Sequence, residues 1–341
     1  MQKYTIAVDA MGGDNAPNAI VAGCIEALRE MDNIEILLCG PEETIRPLLA
    51  DAADVTGRIT VVHAPDVISM HEAPMMAVRK KTDSSMVRAM LEVKNGNAQA
   101  FVSAGSTGAV LAGGMIRIGR IRGVERPALA PVIPGKNHPF LLIDSGANVD
   151  CQAEYLVQFG MMGSIYMEKV MGVKNPKVGL VNIGTEEEKG NQMSKKAFGL
   201  MKEQKVFNFV GNVEAREVPM GDVDVIACDG FDGNIILKYT EGLASALTGV
   251  LKEELLGGGI KEKIGALLIK PALKRFKGRL DSEEHGGAPL LGVNAPMIKA
   301  HGSSEARGIK NALRQARTMI EGDVTGKIRD AVEKLMPEEE K

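Results

Sequence analysis

The sequence predicts an α/β protein with a mixed sheet and interwoven lobes. Three observations carry that reading. Short apolar runs alternate with helix-like stretches from the first residues onward. Two apolar segments are joined by only Pro-Gly-Lys-Asn-His, which predicts an antiparallel hairpin within the sheet. Small, polar and glycine residues gather where several apolar runs end, the place where α/β proteins build their sites. A chain of 341 residues exceeds one typical core, so two lobes are expected. They are placed at 1–125 with 285–341, and at 126–284, because no Pro- or Ser-rich linker divides them.

The order begins with strand Tyr4–Asp9, helix Pro17–Met31, strand Ile34–Cys39, helix Glu42–Ala50 and strand Arg58–His63. The loop Asp9–Pro17 has no GxGxxG spacing. It reads either as a turn in which Asp14 or Asn15 caps the helix ahead of Pro17, or as a ligand contact. Arg79, Lys80 and Lys81 lie between two short helical segments and read as a solvated face. Strand Gln99–Ala104 opens into Gly105-Ser106-Thr107-Gly108-Ala109. Small residues there admit close backbone approach, and hydroxyls at a helix start suit an anion. No GK[ST] follows, so it is not a Walker loop.

Ala128–Ile133 and Pro139–Asp144 form the expected hairpin. Asp144-Ser145-Gly146-Ala147-Asn148 then leads into a Met-rich helix through Met171, read as core or subunit interface. Val178–Ile183 is a buried strand. After Gly184, the Thr185 hydroxyl is expected to cap a helix, with Glu188 as reciprocal partner. Those amides with Lys189 could hold an anion, although three consecutive glutamates oppose it. Val206–Val210, Asn212–Arg216 and Asp224–Asp229 follow, the last leading through an Asp-Gly turn to Asn234. With Met297–Ala300, about ten strands are expected.

Leu243–Leu280 stands apart as two helices joined at Gly257-Gly258-Gly259. Leu255, Leu256, Ile260, Ile264, Leu267 and Leu268 would lie close together, framed by Lys261, Lys263, Lys270, Lys274, Arg275, Lys277 and Arg279. That composition suits an anionic membrane surface, an acidic protein or a dimer seam, with burial in the core as the alternative. Gly286–Gly292 reads as a small-residue loop. His301 precedes Ser303 and Ser304, either of which can cap the closing helix.

Composition narrows the function classes. Aromatics make up 4%, tryptophan is absent and the net charge is −3, which disfavours nucleic-acid stacking or a global pull to membranes. Cys24, Cys39, Cys151 and Cys228 are scattered, Cys39 and Cys228 as core residues, which fits a reducing cytoplasm. The first apolar run is a strand rather than a leader, and no run approaches eighteen apolar residues. No GxSxG, HxH or HExxH spacing occurs, so neither a serine elbow nor a zinc site is expected. Phosphate is itself a nucleophile, and a protein that positions it against an activated acyl group works by proximity and oxyanion stabilisation.

The motifs DAMGGDNAP, SAGSTGA, ERPALAP, DSGANVDC, NIGTEEEKGN, FVGNVEAR, CDGFDGN, GGAPLLG and IKAHGSS run in this order from Asp9 to Ser304. Together they resemble the bacterial phosphate acyltransferases of phospholipid synthesis. His285 stands where that family is expected to carry Tyr, and Asp232 occupies a variable position. The resemblance implies a three-layer α/β/α body with a large mixed sheet, similar to isocitrate and isopropylmalate dehydrogenases and to phosphotransacetylase, and a homodimer. It implies transfer of a long-chain acyl group from acyl carrier protein to inorganic phosphate, without cofactor or metal. The acyl phosphate would feed a membrane glycerol-3-phosphate acyltransferase, with the enzyme peripheral to the membrane. Ser106, Thr107 and the Gly184–Thr185 amides would hold phosphate and Lys189 would offset its charge. Asn182, Asp229 and Asn234 would orient the thioester carbonyl or phosphate protons, Asp229 as a base, and Asn148 and His301 would join the substrate-binding loops. Leu255, Leu256, Ile260, Lys261, Lys263, Lys270, Lys274 and Arg275 would meet membrane or carrier protein. A dehydrogenase of related fold would need a nicotinamide fingerprint that is missing here. A membrane scaffold would leave the polar strand ends unexplained.

Overall fold

The computed structural model describes residues 2–257, 259–279 and 282–335. The first third holds β1 (Tyr4–Asp9), α1 (Asn18–Glu30), β2 (Ile34–Gly40), α2 (Glu42–Leu48), β3 (Ile59–His63), α3 (Pro74–Lys80), α4 (Ser85–Lys94), β4 (Ala100–Ser103) and α5 (Thr107–Gly113). The middle holds β5 (Ala128–Leu129), β6 (Val132–Ile133), β7 (Phe140–Ile143), α6 (Ala153–Lys169), β8 (Lys177–Asn182), α7 (Gln192–Glu203), β9 (Asn208–Glu214) and β10 (Val225–Ala227). Then come α8 (Gly230–Gly257), α9 (Ile260–Arg279), β11 (Ala288–Leu291), β12 (Met297–Lys299), α10 (Ala306–Glu321) and α11 (Val324–Leu335).

The strands form two sheets rather than one of about ten. The larger runs β3-β2-β1-β4-β12-β11-β5 and the smaller β6-β7-β10-β8-β9. Both are mixed: β11 is antiparallel to β12 and β5, and β6 is antiparallel to β7, as the hairpin reading required. The run 128–133, expected as one strand, belongs to both sheets. Ala130 N donates to Pro289 O at 3.0 Å, whereas Leu142 N donates to Pro131 O at 3.0 Å. Pro131 has no N–H to continue a ladder, so the run changes partner there.

Other boundaries shifted for local reasons. Val206–Val210 and the run from Asn212 merge into β9, because Gly211 takes φ +102° at a register irregularity opposite Val178 and Gly179. That is a bulge, which keeps one strand running. Ala288–Leu291, read as loop, is a strand with three of its four residues buried. The helix after β8 begins at Gln192, and its cap is Asn191, whose Oδ1 accepts from Ser194 N at 2.8 Å; Thr185 caps nothing. Asn15 and the Ser303–Ser304 pair do not cap α1 or α10. Instead Asn15 Nδ2 donates to Ser303 O at 3.0 Å, which zips the two loops together.

One apolar cluster runs through both sheets and includes Val8, Ile36, Leu141, Leu180, Leu313 and Ile328. Met161, Met162 and Met167 of α6 are in it, so the Met-rich helix is core. A second cluster packs α4 and α5 on the other face of the larger sheet, and Ile236 and Leu237 of α8 cover the other face of the smaller one. The architecture is therefore a three-layer α/β body. From Asn234 to Gly278 no described residue is buried, and no described helix is long and apolar enough to cross a membrane.

Candidate active site

The carboxyl ends of β1, β4 and β12 set Asp9, Ser103 and Lys299 in one row, since the parallel register matches Val8 to Val102 and Ser103 to Lys299. Asp9 is 1% exposed. Its Oδ1 accepts from Ser85 Oγ at 2.6 Å and Met11 N at 3.2 Å, and its Oδ2 accepts from Ser103 Oγ at 2.7 Å. Ser103 Oγ in turn accepts from Gly105 N at 2.9 Å. One carboxylate thus fixes the loops after β1 and β4 and the start of α4. Gly12 is required beside it: a Cβ there would lie 2.5 Å from Asp9 Oδ2 and 2.6 Å from Gly105 N. Burial pushes the Asp9 carboxyl above its ordinary range, against the two serine hydroxyls, the Met11 amide and Lys299.

Lys299 is the unexpected member. It is 7% exposed, and its Nζ donates to Ala104 O at 3.3 Å and to Ala300 O. Burial lowers its pKa to about 8; Asp14 and Asp9 oppose that, and Lys238 of α8 reinforces it. Lys238 itself pairs with Glu241 on α8, Nζ to Oε2 at 2.8 Å. Asp14 belongs to the same neighbourhood, its backbone N–H donating to Gly302 O at 2.8 Å.

Around this row stand three of the expected residues. Ser106, 7% exposed, precedes α5, and Thr107 is its exposed first residue. His301 is exposed, and its Nδ1 accepts from Ser303 N at 3.3 Å and lies 2.8 Å from Ser303 Oγ. A backbone N–H can only donate, so the neutral ring carries its proton on Nε2, available to an oxygen ligand.

A second row lies on the smaller sheet, where Ile143, Ala227 and Leu180 share a level and Ser145, Asp229 and Asn182 follow two residues on. Asp144, read in the sequence as a strand end with no role of its own, is fully buried and holds this end together. It accepts from Leu129 N at 3.0 Å, Gly146 N at 3.3 Å, Ala147 N at 3.1 Å and Asn148 N at 2.6 Å. Burial raises its carboxyl pKa, and those amides pull it back down. Asn148 Nδ2 donates to Pro127 O at 2.9 Å and Asp144 Oδ2 at 3.0 Å. Asp229 caps α8, its Oδ1 accepting from Asp232 N at 2.8 Å. Asn234 Nδ2 donates to Ser145 O at 3.2 Å.

Asn182 braces the next loop, donating to Lys189 O at 3.1 Å and Asn212 Oδ1 at 3.1 Å. That loop carries buried Gly184 and exposed Thr185, Glu186, Glu187, Glu188 and Lys189. Glu187 pairs outward with Lys202 at 2.5 Å, whereas the Glu186 carboxylate stands over Gly184, 2.8 Å from where a Cβ there would lie. A cavity of about 330 Å³ bordered by Val210, Val213, Val218 and Ile226 shares only Asn212 with this network.

On the hairpin, Leu255 is half-buried, whereas Lys270, Lys274 and Arg275 are exposed. Leu267 and Leu268 are 69% and 76% exposed. The side chains of Leu256, Ile260, Lys261 and Lys263 lie outside the described residues.

The structure therefore brings Ser106, Thr107 and His301 to a row completed by Asp9, Ser103 and Lys299. Asn148, Asn182, Asp229 and Asn234 serve as braces and a cap on the other sheet. A buried lysine with hydroxyls and a ring N–H suits a compact oxyanion.

A family model described as "Fatty acid synthesis protein" matches residues 4–327. A phosphate acyltransferase of Clostridium perfringens (strain SM101 / Type A) is 52% identical over 329 residues, which is 96% of this chain and 97% of that protein. Among solved structures, a phosphotransacetylase from Streptococcus pyogenes aligns with TM-score 0.60 at 15% identity, covering 97% of this chain and 94% of that one. A 4-hydroxythreonine-4-phosphate dehydrogenase from Klebsiella pneumoniae aligns with TM-score 0.52 at 13% identity, covering 93% and 99%. These two structural likenesses establish a shared fold.

Proposed function

The chain belongs to the fatty acid synthesis protein family and is an acyltransferase, and we propose that it moves a fatty acyl group from acyl carrier protein onto inorganic phosphate. The observation that carries the phosphate site is Lys299: a buried cation, bonded to carbonyls of the loops after β4 and β12, at the row beside Ser106, Thr107 and His301. A dianion there would be held by Lys299, with hydroxyl donation from Ser106 and Thr107 and the Nε2–H of His301. Lys189, with the Gly184–Thr185 amides, is the smaller sheet's contribution to charge. Asp229, Asn234, Asn182 and Asn148 act through the loops they hold.

The chemistry is one acyl substitution. A phosphate oxygen attacks the thioester carbonyl, a C–O bond forms and the C–S bond breaks. The thiolate leaves and takes up a proton, giving acyl phosphate and free carrier thiol. The thioester is already activated, so no nucleotide is consumed. Positioning the nucleophile and stabilising the developing oxyanion supply the rate.

An acyl phosphate is a reactive mixed anhydride, so its consumer is an acyltransferase close by; in phosphatidic acid synthesis that is a membrane glycerol-3-phosphate acyltransferase. The exposed Leu267 and Leu268, with Lys270, Lys274 and Arg275, support peripheral contact of a cytoplasmic homodimer with an anionic membrane or with acidic carrier protein. We keep the division into lobes 1–125 with 285–341 and 126–284 as our reading, with β5 crossing from the second range into the larger sheet. The test is purified protein with acyl carrier protein thioester and phosphate. Acyl phosphate should accumulate in step with free carrier, and release of free fatty acid instead would overturn the reading.

A further inference from the structure

Methionine is ordinarily an inside residue, and Met86, Met90, Met162, Met167 and Met297 are at most 1% exposed. Met70, Met75, Met76 and Met115 break that rule at 40% to 50% exposed, with Val67 at 36%, and Met220, between β9 and β10, is 39% exposed as well. Their exposure is not slack chain. Ser69 N donates to Glu72 Oε1 at 2.7 Å, and Lys81 Nζ to Val67 O and Glu72 Oε1, each at 2.8 Å. Arg117 Nη2 donates to Val78 O at 2.8 Å, which fastens the turn bearing Met115 to the end of α3.

The patch borders the phosphate row. The Met70 methyl lies 4.0 Å from where a Cβ on Gly302 would stand, and the Pro74 ring 2.7 Å from that position on Gly108. Gly302 follows His301, and Gly108 follows Ser106 and Thr107. The rim therefore begins beside the loops that carry His301 and Thr107 and runs outward over the first turn of α3.

We propose that this rim, Met70, Met75, Met76 and Met115, receives the hydrocarbon chain of the acyl donor, an inference that rests on the function proposed above. An unbranched alkyl chain has no directional group to satisfy. It suits flexible, unbranched thioether side chains that adapt to whatever lies on them. A second protein fits less well: a stable interface takes about 800 Å² and 20–30 residues from each partner, and this patch is five side chains.

The test compares kcat/KM for a short-chain and a long-chain acyl carrier protein thioester, in the native protein and in Met75→Gln/Met76→Gln. The long-chain value should fall about tenfold or more while the short-chain value holds, and Met75→Leu/Met76→Leu should restore it. Equal loss for both donors, or no loss, overturns the rim. So does a change of oligomeric state in the Gln variant, which would make the patch a contact with a second copy. If the native protein makes acyl phosphate from no donor, the functional reading falls on its own. Peroxide oxidation then decides the rim: long-chain fatty acid should slow sulfoxide formation at Met75 and Met76, and an unchanged rate overturns it.

Discussion

Lys299 is a cation kept where cations are disfavoured. Burial brings it from 10.5 to about 8. Between those values the unfolded chain holds a proton that the native protein has lost, so stability rises with pH across that window. Below pH 8 the native state carries the whole penalty, about 3 kcal/mol. Lys299→Met should therefore match or exceed the native melting temperature while turnover falls roughly 10²–10³-fold; native turnover in that variant would remove the lysine from the phosphate site. The same ionisation governs activity: kcat/KM should decline as pH rises through about 8, and a flat profile to pH 9.5 would contradict a charged Lys299. At this scale the sequence was half legible. Ser106 and Thr107 announce themselves in a Gly-Ser-Thr-Gly run. Lys299 and Asp9 are single charges at the ends of short apolar strands, and only the parallel register sets them side by side.

At the scale of elements, Asp144 does for the smaller sheet what Asp9 does for the larger. Four backbone N–H groups converge on it, from Leu129, Gly146, Ala147 and Asn148. Each would be left without a partner in Asp144→Ala, at roughly 1–3 kcal/mol for a buried donor. Chemical denaturation should show a loss of at least about 3 kcal/mol, and an unchanged midpoint would mean that the loop holds itself. The strands were readable because alternation and burial are local properties. The loop 183–191 was not, because Thr185–Glu188 and Asn191–Ser194 both carry capping signals. The choice between them is made by distant bonds from Asn182 and Asn212. The single strand β9 likewise depends on Gly211 taking positive φ, which an apolar pattern does not disclose.

Across the whole molecule, one apolar cluster ties the two sheets together, while α8 and α9 carry large apolar side chains into solvent. The Gly257–Gly259 break made that helix pair visible in the sequence, because apolar and basic residues stand together on both sides of it. Leu267→Glu/Leu268→Glu should abolish binding to anionic vesicles and spare turnover of soluble acyl carrier protein thioester; retained vesicle binding would make these residues a protein contact instead. In the proposed reaction phosphate itself opens the thioester, with no acylated side chain between. Intact-mass analysis during turnover, alongside carrier-thiol release with and without phosphate, tests it most directly. The enzyme should keep its mass throughout turnover, and carrier release should stop when phosphate is withheld. An enzyme heavier by one acyl group, or release at the same rate without phosphate, would contradict it.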